Sequence, residues 1–188
     1  MTIIKHELRQ GKMPFLIWTG SVGFLLTVCI FLFPEMKGEM DKISGMFSSM
    51  GSFSAAFGMD RLNFGTLTGY YAIECGNVLG LGGAFYAALC AVGILSKEEK
   101  DRTAEFLLTH PVSRVRIITE KLIAVLIQIA IMNLIIYVLS ACSMGIIGEE
   151  IPWKELNLLH LAYLILQMEL AGICFGISAF MRKGSIGV

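Results

Sequence analysis

Two acidic side chains, Glu74 and Glu169, fall inside otherwise apolar stretches of the chain. An ionised carboxylate in such surroundings costs about 2.5–3.5 kcal/mol on insertion scales unless it meets water or a partner, so both are candidates for an intramembrane polar path. Glu74 lies six residues beyond Thr68, near enough to the start of its run to reach an interface. Glu169 is deeper: it follows Leu156 by thirteen residues, or ~20 Å along a helix. It precedes Gly172 and Gly176, a small-residue pair suited to close helix approach, so it is expected to face other helices or a polar path and not lipid. Other chemistry is sparse. His6, His110 and His160 are far apart, and none belongs to a metal-ligand pattern. The five cysteines all lie in apolar runs, where Cys acts as a small apolar side chain. The glycine cluster Gly80-Leu81-Gly82-Gly83 lacks the strand and lysine of a phosphate-binding loop, and packing accounts for it better. No metal, no cofactor and no ATP-binding site of the chain's own is therefore expected. A membrane-embedded enzyme would want clustered His, Asp, Glu or Cys near one interface, and the chain offers two separated glutamates.

The elements that must position these residues follow from composition. Of 188 residues, 55% are hydrophobic and 16% charged, and several apolar runs exceed the ~20 residues that cross a hydrocarbon layer. An all-α integral membrane protein with about four spans is expected, at about 15–33, 68–95, 117–147 and 156–181. Pro14 and Pro34 bracket the first span. That span is too long for a secretory signal and lacks a small-x-small cleavage site, so the N-terminus is expected to be retained. Ahead of it, Ile3 to Lys12 alternates charges with Ile3, Ile4 and Leu8, which suits an interfacial amphipathic helix or a frayed basic tail. Residues 34–67, rich in Met, Ser, Gly and Phe, read as an external loop, with a helix of poor periodicity around Ile43–Phe57. In the second span Gly76, Gly80, Ala84 and Ala88 recur every fourth residue and form a groove for close packing. Ser96 and Glu99 have the spacing of a capping box, which would start a new helix after that span.

Charge placement orients the chain. Lys5, Arg9, Lys12, Lys97, Lys100, Arg102, Arg114, Arg116, Lys121, Arg182 and Lys183 lie on one side, and only Lys37, Lys42, Arg61 and Lys154 on the other. Eleven of the fifteen basic residues thus share a side, which puts both termini and the loop 96–116 in the cytoplasm.

That loop carries a charged stretch, an apolar patch and a proline stop in Glu98-Glu-Lys-Asp-Arg-Thr-Ala-Glu-Phe-Leu-Leu-Thr-His-Pro-Val-Ser-Arg-Val-Arg-Ile117. Phe106, Leu107 and Leu108 sit among charges in a segment that cannot be transmembrane. They either press against the protein's own helices or enter a groove on a partner.

The stretch Glu98 to Lys121 resembles the loop after the second span in permease subunits of type-2 ABC transporters. Lys5-His-Glu-Leu-Arg9 and the Phe57-Gly-Met59 segment are similar to that family as well. The resemblance implies a cytoplasmic coupling helix that docks on a separate ABC ATPase subunit, an N-terminal elbow helix, and an export path enclosed with a second permease subunit, homo- or heterodimeric. By position, Glu105, Phe106, Leu107 and Leu108 would touch the ATPase, and Pro111, Ser113 and Arg114 would mark the turn back to the membrane. Six spans are usual in the family, and this chain reads as the first four, which suits a fragment, a truncated product or a naturally short subunit. The expectation is a permease subunit of an exporter in the cell membrane, with lipid as its surroundings and no nucleic-acid partner. The alternative is a non-transporting four-span binding or immunity-type protein. From the charge asymmetry, tags on both termini should be protected in intact cells while a tag near Gly51 or Glu149 is accessible; labelling of an N-terminal tag from outside would overturn the topology.

Overall fold

The computed structural model describes residues 2–49, 65–100 and 113–180. The regular elements among them are helical: α1 (Thr2–Gln10), α2 (Lys12–Ser49), α3 (Leu67–Cys75), a π-helical stretch (Gly76–Leu81) running directly into α4 (Gly82–Lys100), α5 (Arg114–Ile146) and α6 (Trp153–Phe180). Four stretches are long and apolar enough to cross a bilayer: Lys12–Glu39, Leu67–Ile94, Arg114–Ile146 and Trp153–Ala179. Lipid offers no partner to a backbone N–H or C=O, so a crossing chain without a closed barrel has to be helical.

Helix ends follow local chemistry at three places. Thr66 caps α3 by accepting the Gly69 N–H at 3.2 Å, and Ser113 caps α5 by accepting that of Arg116 at 3.3 Å. Gly148, at φ 76°, makes the left-handed turn between α5 and α6.

Two expected boundaries are corrected. α2 does not stop at Pro34 but runs on to Ser49, so residues 34–49 of the expected loop are helical. A proline inside a helix forfeits one hydrogen bond at a cost of about 3 kcal/mol. The buried contact of Phe33 just before Pro34 offsets it, and an exposed ion pair after it adds little. Phe33 is fully buried with its ring 5.3 Å from that of Tyr70, and Lys37 pairs with Glu149 at 2.9 Å. Likewise, no new helix begins at Ser96, because α4 continues through it to Lys100. No proline stops the helix before Ser96, and the Lys and Glu that follow favour continuing it.

α6 packs along the α3–π–α4 rod, both running the same way. Tyr163 lies against Gly76 and Gly80, and a Cβ at Gly80 would stand 3.0 Å from the Tyr163 ring. One turn on, a Cβ at Gly83 would meet Gln167 Nε2 at 2.1 Å. Ala87, Ala91, Ala171 and Phe175 share a core cluster, and Ser178 Oγ donates to the Val92 carbonyl at 3.1 Å. Gly76 and Gly80 thus form the expected groove. Beyond them the contact line passes to Gly83, Ala87 and Ala91, while Ala84 and Ala88 are only half-buried. A strict four-residue repeat drifts about 40° per step around a 3.6-residue helix and leaves the facing partner. The second core cluster gathers Leu26, Ile30 and Phe33 of α2 with Tyr71, Leu79, Met132, Ile136 and Leu156.

The close approach predicts that Gly80→Leu, which forces a side chain into Tyr163, destabilises the protein by about 1–3 kcal/mol. Gly20→Leu, where an added Cβ meets nothing within 4 Å, should be neutral. Equal melting temperatures for the two variants in detergent would show that the groove is not tightly packed.

Candidate functional site

The end of the bundle that carries α1 is organised by one buried charge. α1 presents Ile3, Ile4 and Leu8 as a half-buried stripe and leaves Lys5, His6 and Arg9 exposed. Glu7 sits inside that apolar stripe, buried. Its carboxylate accepts from Lys121 Nζ of α5 at 2.7 Å, with 1% of the lysine side chain and 9% of the glutamate exposed. The same ammonium donates to the Ile94 carbonyl of α4 at 3.0 Å. Burying either charge alone costs several kcal/mol, so each holds the other in place. One residue earlier on α5, Glu120 pairs with Arg116 at 2.9 Å.

Gly11, the joint between α1 and α2, permits this docking. Its N–H donates to the Glu7 carbonyl at 2.8 Å, and a Cβ there would come within 2.6 Å of Gln128 Nε2. A side chain there would displace the Gln128 amide.

Further polar groups step along α5. Tyr86 Oη donates to Gln128 Oε1 at 3.3 Å. Asn133 Nδ2 donates to Gln167 Oε1 at 2.7 Å, and Gln167 Nε2 to the Leu79 carbonyl at 3.1 Å. Leu79 belongs to the π-helical stretch, whose wider turns loosen the backbone ladder and offer carbonyls to side chains. Trp18 Nε1 donates to the carbonyl of Gly82, the first residue of α4, at 2.8 Å. Nearer the Gly148 turn, Tyr71 Oη donates to Ser140 Oγ at 2.9 Å and lies 2.7 Å from His160 Nε2. His160 Nδ1 and Asn133 Oδ1 are buried without a hydrogen-bond partner among the described residues. These bonds tie α3, α4, α5 and α6 together at different depths; each such interhelical bond contributes about 0.6–2 kcal/mol in lipid.

The residues singled out from sequence fall in different places. Glu105, Phe106, Leu107, Leu108 and Pro111 lie outside the described residues. Ser113 is the cap of α5, and Arg114 begins that helix, exposed. Glu74 is half-buried and accepts a hydrogen bond from Cys29 Sγ at 3.5 Å. Glu169 is exposed on the outside of the bundle, so among the described residues it faces no other helix. Gly172 and Gly176 share that outer face, and a Cβ on either meets nothing within 4 Å. Their spacing permits close packing, but the chain's own core is served by Ala171 and Phe175 on the opposite side of α6.

Reading the sequence missed the Glu7–Lys121 pair. Its signal was present: Glu7 interrupts the Ile3, Ile4, Leu8 stripe, and Lys121 follows Ile117 and Ile118 into the third apolar run.

The chain matches the model of a family described as ABC-2 family transporter protein over residues 1–186. The chain belongs to the ABC-2 transporter family. No curated protein and no solved structure matches it. Family membership and the four apolar helices make it a multi-pass membrane protein and the membrane subunit, or permease, of a transporter. In this family ATP binding belongs to a partner, so membership implies an ATPase subunit beside the ABC-2 permease.

The buried pair predicts that Lys121→Met alone, which strands Glu7, costs the permease about 3–5 kcal/mol, and that adding Glu7→Leu recovers most of it. Denaturation of the two single and the double variants in detergent checks this; strictly additive losses would mean that the two side chains are not coupled.

Proposed function

We propose that this permease couples ATP hydrolysis by a separate subunit to outward movement of a solute, with the segment between α4 and α5 as the docking lever. The observation that supports this most is the Lys121 ammonium. It joins α1 by Glu7 and α4 by the Ile94 carbonyl while belonging to α5, so the two helices that flank the segment share one buried staple. A push on the segment then reaches α1, α4 and α5 together, because moving one alone would strand a charge in a low-dielectric setting. In this reading Glu105, Phe106, Leu107 and Leu108 contact the ATPase, and Pro111, Ser113 and Arg114 turn the chain back, with Ser113 as helix cap. Both termini lie in the cytoplasm of the cell in this scheme.

A second permease subunit completes the path. The exposed face of α6 that carries Glu169, Gly172 and Gly176 supports that part of the reading, since a carboxylate there is costly against lipid and less so against a polar path between subunits.

Phe106 and Leu107, acting as anchors in an ATPase groove, would each cost on the order of 2 kcal/mol or more when truncated, about thirtyfold in affinity. Phe106→Ala with Leu107→Ala should therefore abolish co-purification of the ATPase while insertion and topology persist. A double variant that keeps the ATPase but loses stability in the membrane would assign the apolar patch to the protein's own helices.

A further inference from the structure

A cavity of about 600 Å³ opens between the joint of α1 with α2, α4 and α5. Ile17 and Leu89 both line it, and both are exposed within membrane-crossing stretches. The cavity thus opens sideways into lipid. Its only charged lining group among the described residues is Glu7, and the Lys121 ammonium at 2.7 Å neutralises that carboxylate. A charged occupant would leave water for a site with no counter-charge to offer.

Two aromatic rings form part of the wall. Trp18 and Tyr86 lie with ring centroids 6.0 Å apart and planes tilted by 33°. Their polar ends are both spent within the protein: the indole Nε1 donates to the Gly82 carbonyl at 2.8 Å, and the tyrosine hydroxyl to Gln128 Oε1 at 3.3 Å. What they offer an occupant is ring surface. Gln128 differs. Its Oε1 is taken by Tyr86, but its Nε2 has no hydrogen-bond partner among the described residues and stands beside Gly11, where a Cβ would come within 2.6 Å of it. Gly11 and Gln128 both line the cavity. An apolar, aromatic slot of ligand size thus keeps one unspent amide donor, and apolar walls with a few placed polar groups are the form that small-molecule sites take.

We propose that this cavity binds an uncharged aromatic molecule carrying a hydrogen-bond acceptor, which enters from the lipid, lays its ring against Trp18 and Tyr86 and accepts from Gln128 Nε2. A saturated acyl chain fills the same space but leaves the donor unpaired away from water, which is costly. It also forgoes the edge-to-face and offset contacts that rings make with rings. Under the export reading, on which this part rests, the site names the class of solute taken from the membrane. Binding itself needs neither an ATPase nor transport, so its failure is separate from that of the coupling reading.

Benzophenone is such a molecule, neutral, aromatic and with one carbonyl, and near-ultraviolet light links it to the C–H groups it touches. The purified chain in phosphatidylcholine vesicles is irradiated with increasing benzophenone, and the labelled residues are located by mass spectrometry. Saturable labelling of the cavity wall is expected although lipid is in large excess. Leu89→Trp, which puts a larger side chain on an exposed edge of the cavity, should abolish that labelling. Gln128→Leu should weaken the apparent affinity about fivefold, the effect of one lost hydrogen bond. Labelling that never saturates, that spreads evenly over the lipid-facing helices or that survives Leu89→Trp overturns the proposal, as does an unchanged affinity in Gln128→Leu. If Gln128→Leu does not fold, competition on the unaltered chain decides. At equal concentration in the lipid, 9-fluorenone, which keeps the carbonyl, should displace benzophenone about fivefold better than fluorene, which lacks it, and equal potency overturns the proposal.

Discussion

Helices surrounded by lipid gain nothing from burying apolar surface against one another, since the hydrocarbon outside is as apolar as the leucines within. What holds this bundle together must then be close backbone approach and polar bonds that lipid cannot replace. Both are found between the α3–π–α4 rod and α6. Gly76, Gly80 and Gly83 admit Tyr163 and Gln167 to the backbone, and Gln167 then reaches the Leu79 carbonyl at 3.1 Å. The two devices depend on each other: without the glycines the amide could not approach, and without the π-helical turns the carbonyl would be less available. Large apolar side chains such as Leu81, Phe85 and Leu89 are left to the outer surface.

The same economy of polar groups explains the α1 end. A lysine 1% exposed is a poor choice for stability alone, because an apolar replacement of both partners does as well or better. Its use is geometric. An ammonium that must find its donors' partners fixes α1, α4 and α5 at one point, whereas an apolar contact there would tolerate sliding. In the coupling proposed above α1, α4 and α5 would move as a unit, and a contact that resists partial opening suits that motion better than one that merely adds stability. The staple joins the end of α4 to the first turns of α5, the two helices that flank the docking segment proposed above.

The opposite end is held differently. There α2 overruns Pro34, and Lys37 crosses to Glu149 near the Gly148 turn, an exposed pair worth little by itself. Phe33 against Tyr70, together with the Tyr71, Ser140 and His160 bonds, carries more of the packing because these groups are buried. Polar contacts are thus deep where helices must keep their register and superficial where α2 leaves the bundle.

Helix number, helix class and the small-residue groove at Gly76 and Gly80 were legible in the sequence alone, because the length of an apolar run and the spacing of glycines are local properties that lipid translates directly into structure. The resemblance carried by Glu98 to Lys121 pointed to the family for a similar reason, being a contiguous pattern. Helix ends were less legible: Pro34 and Ser96 carry stop and start signals that distant contacts or the continuing backbone overrode. Which polar residues meet was decided only by the fold. Glu7 and Lys121 are separated by 114 positions, and Leu79 and Gln167 by 88; no local pattern pairs them. The outward placement of Glu169 likewise depends on which side of α6 the Ala171 and Phe175 face occupies, and one helix cannot settle that until another packs against it.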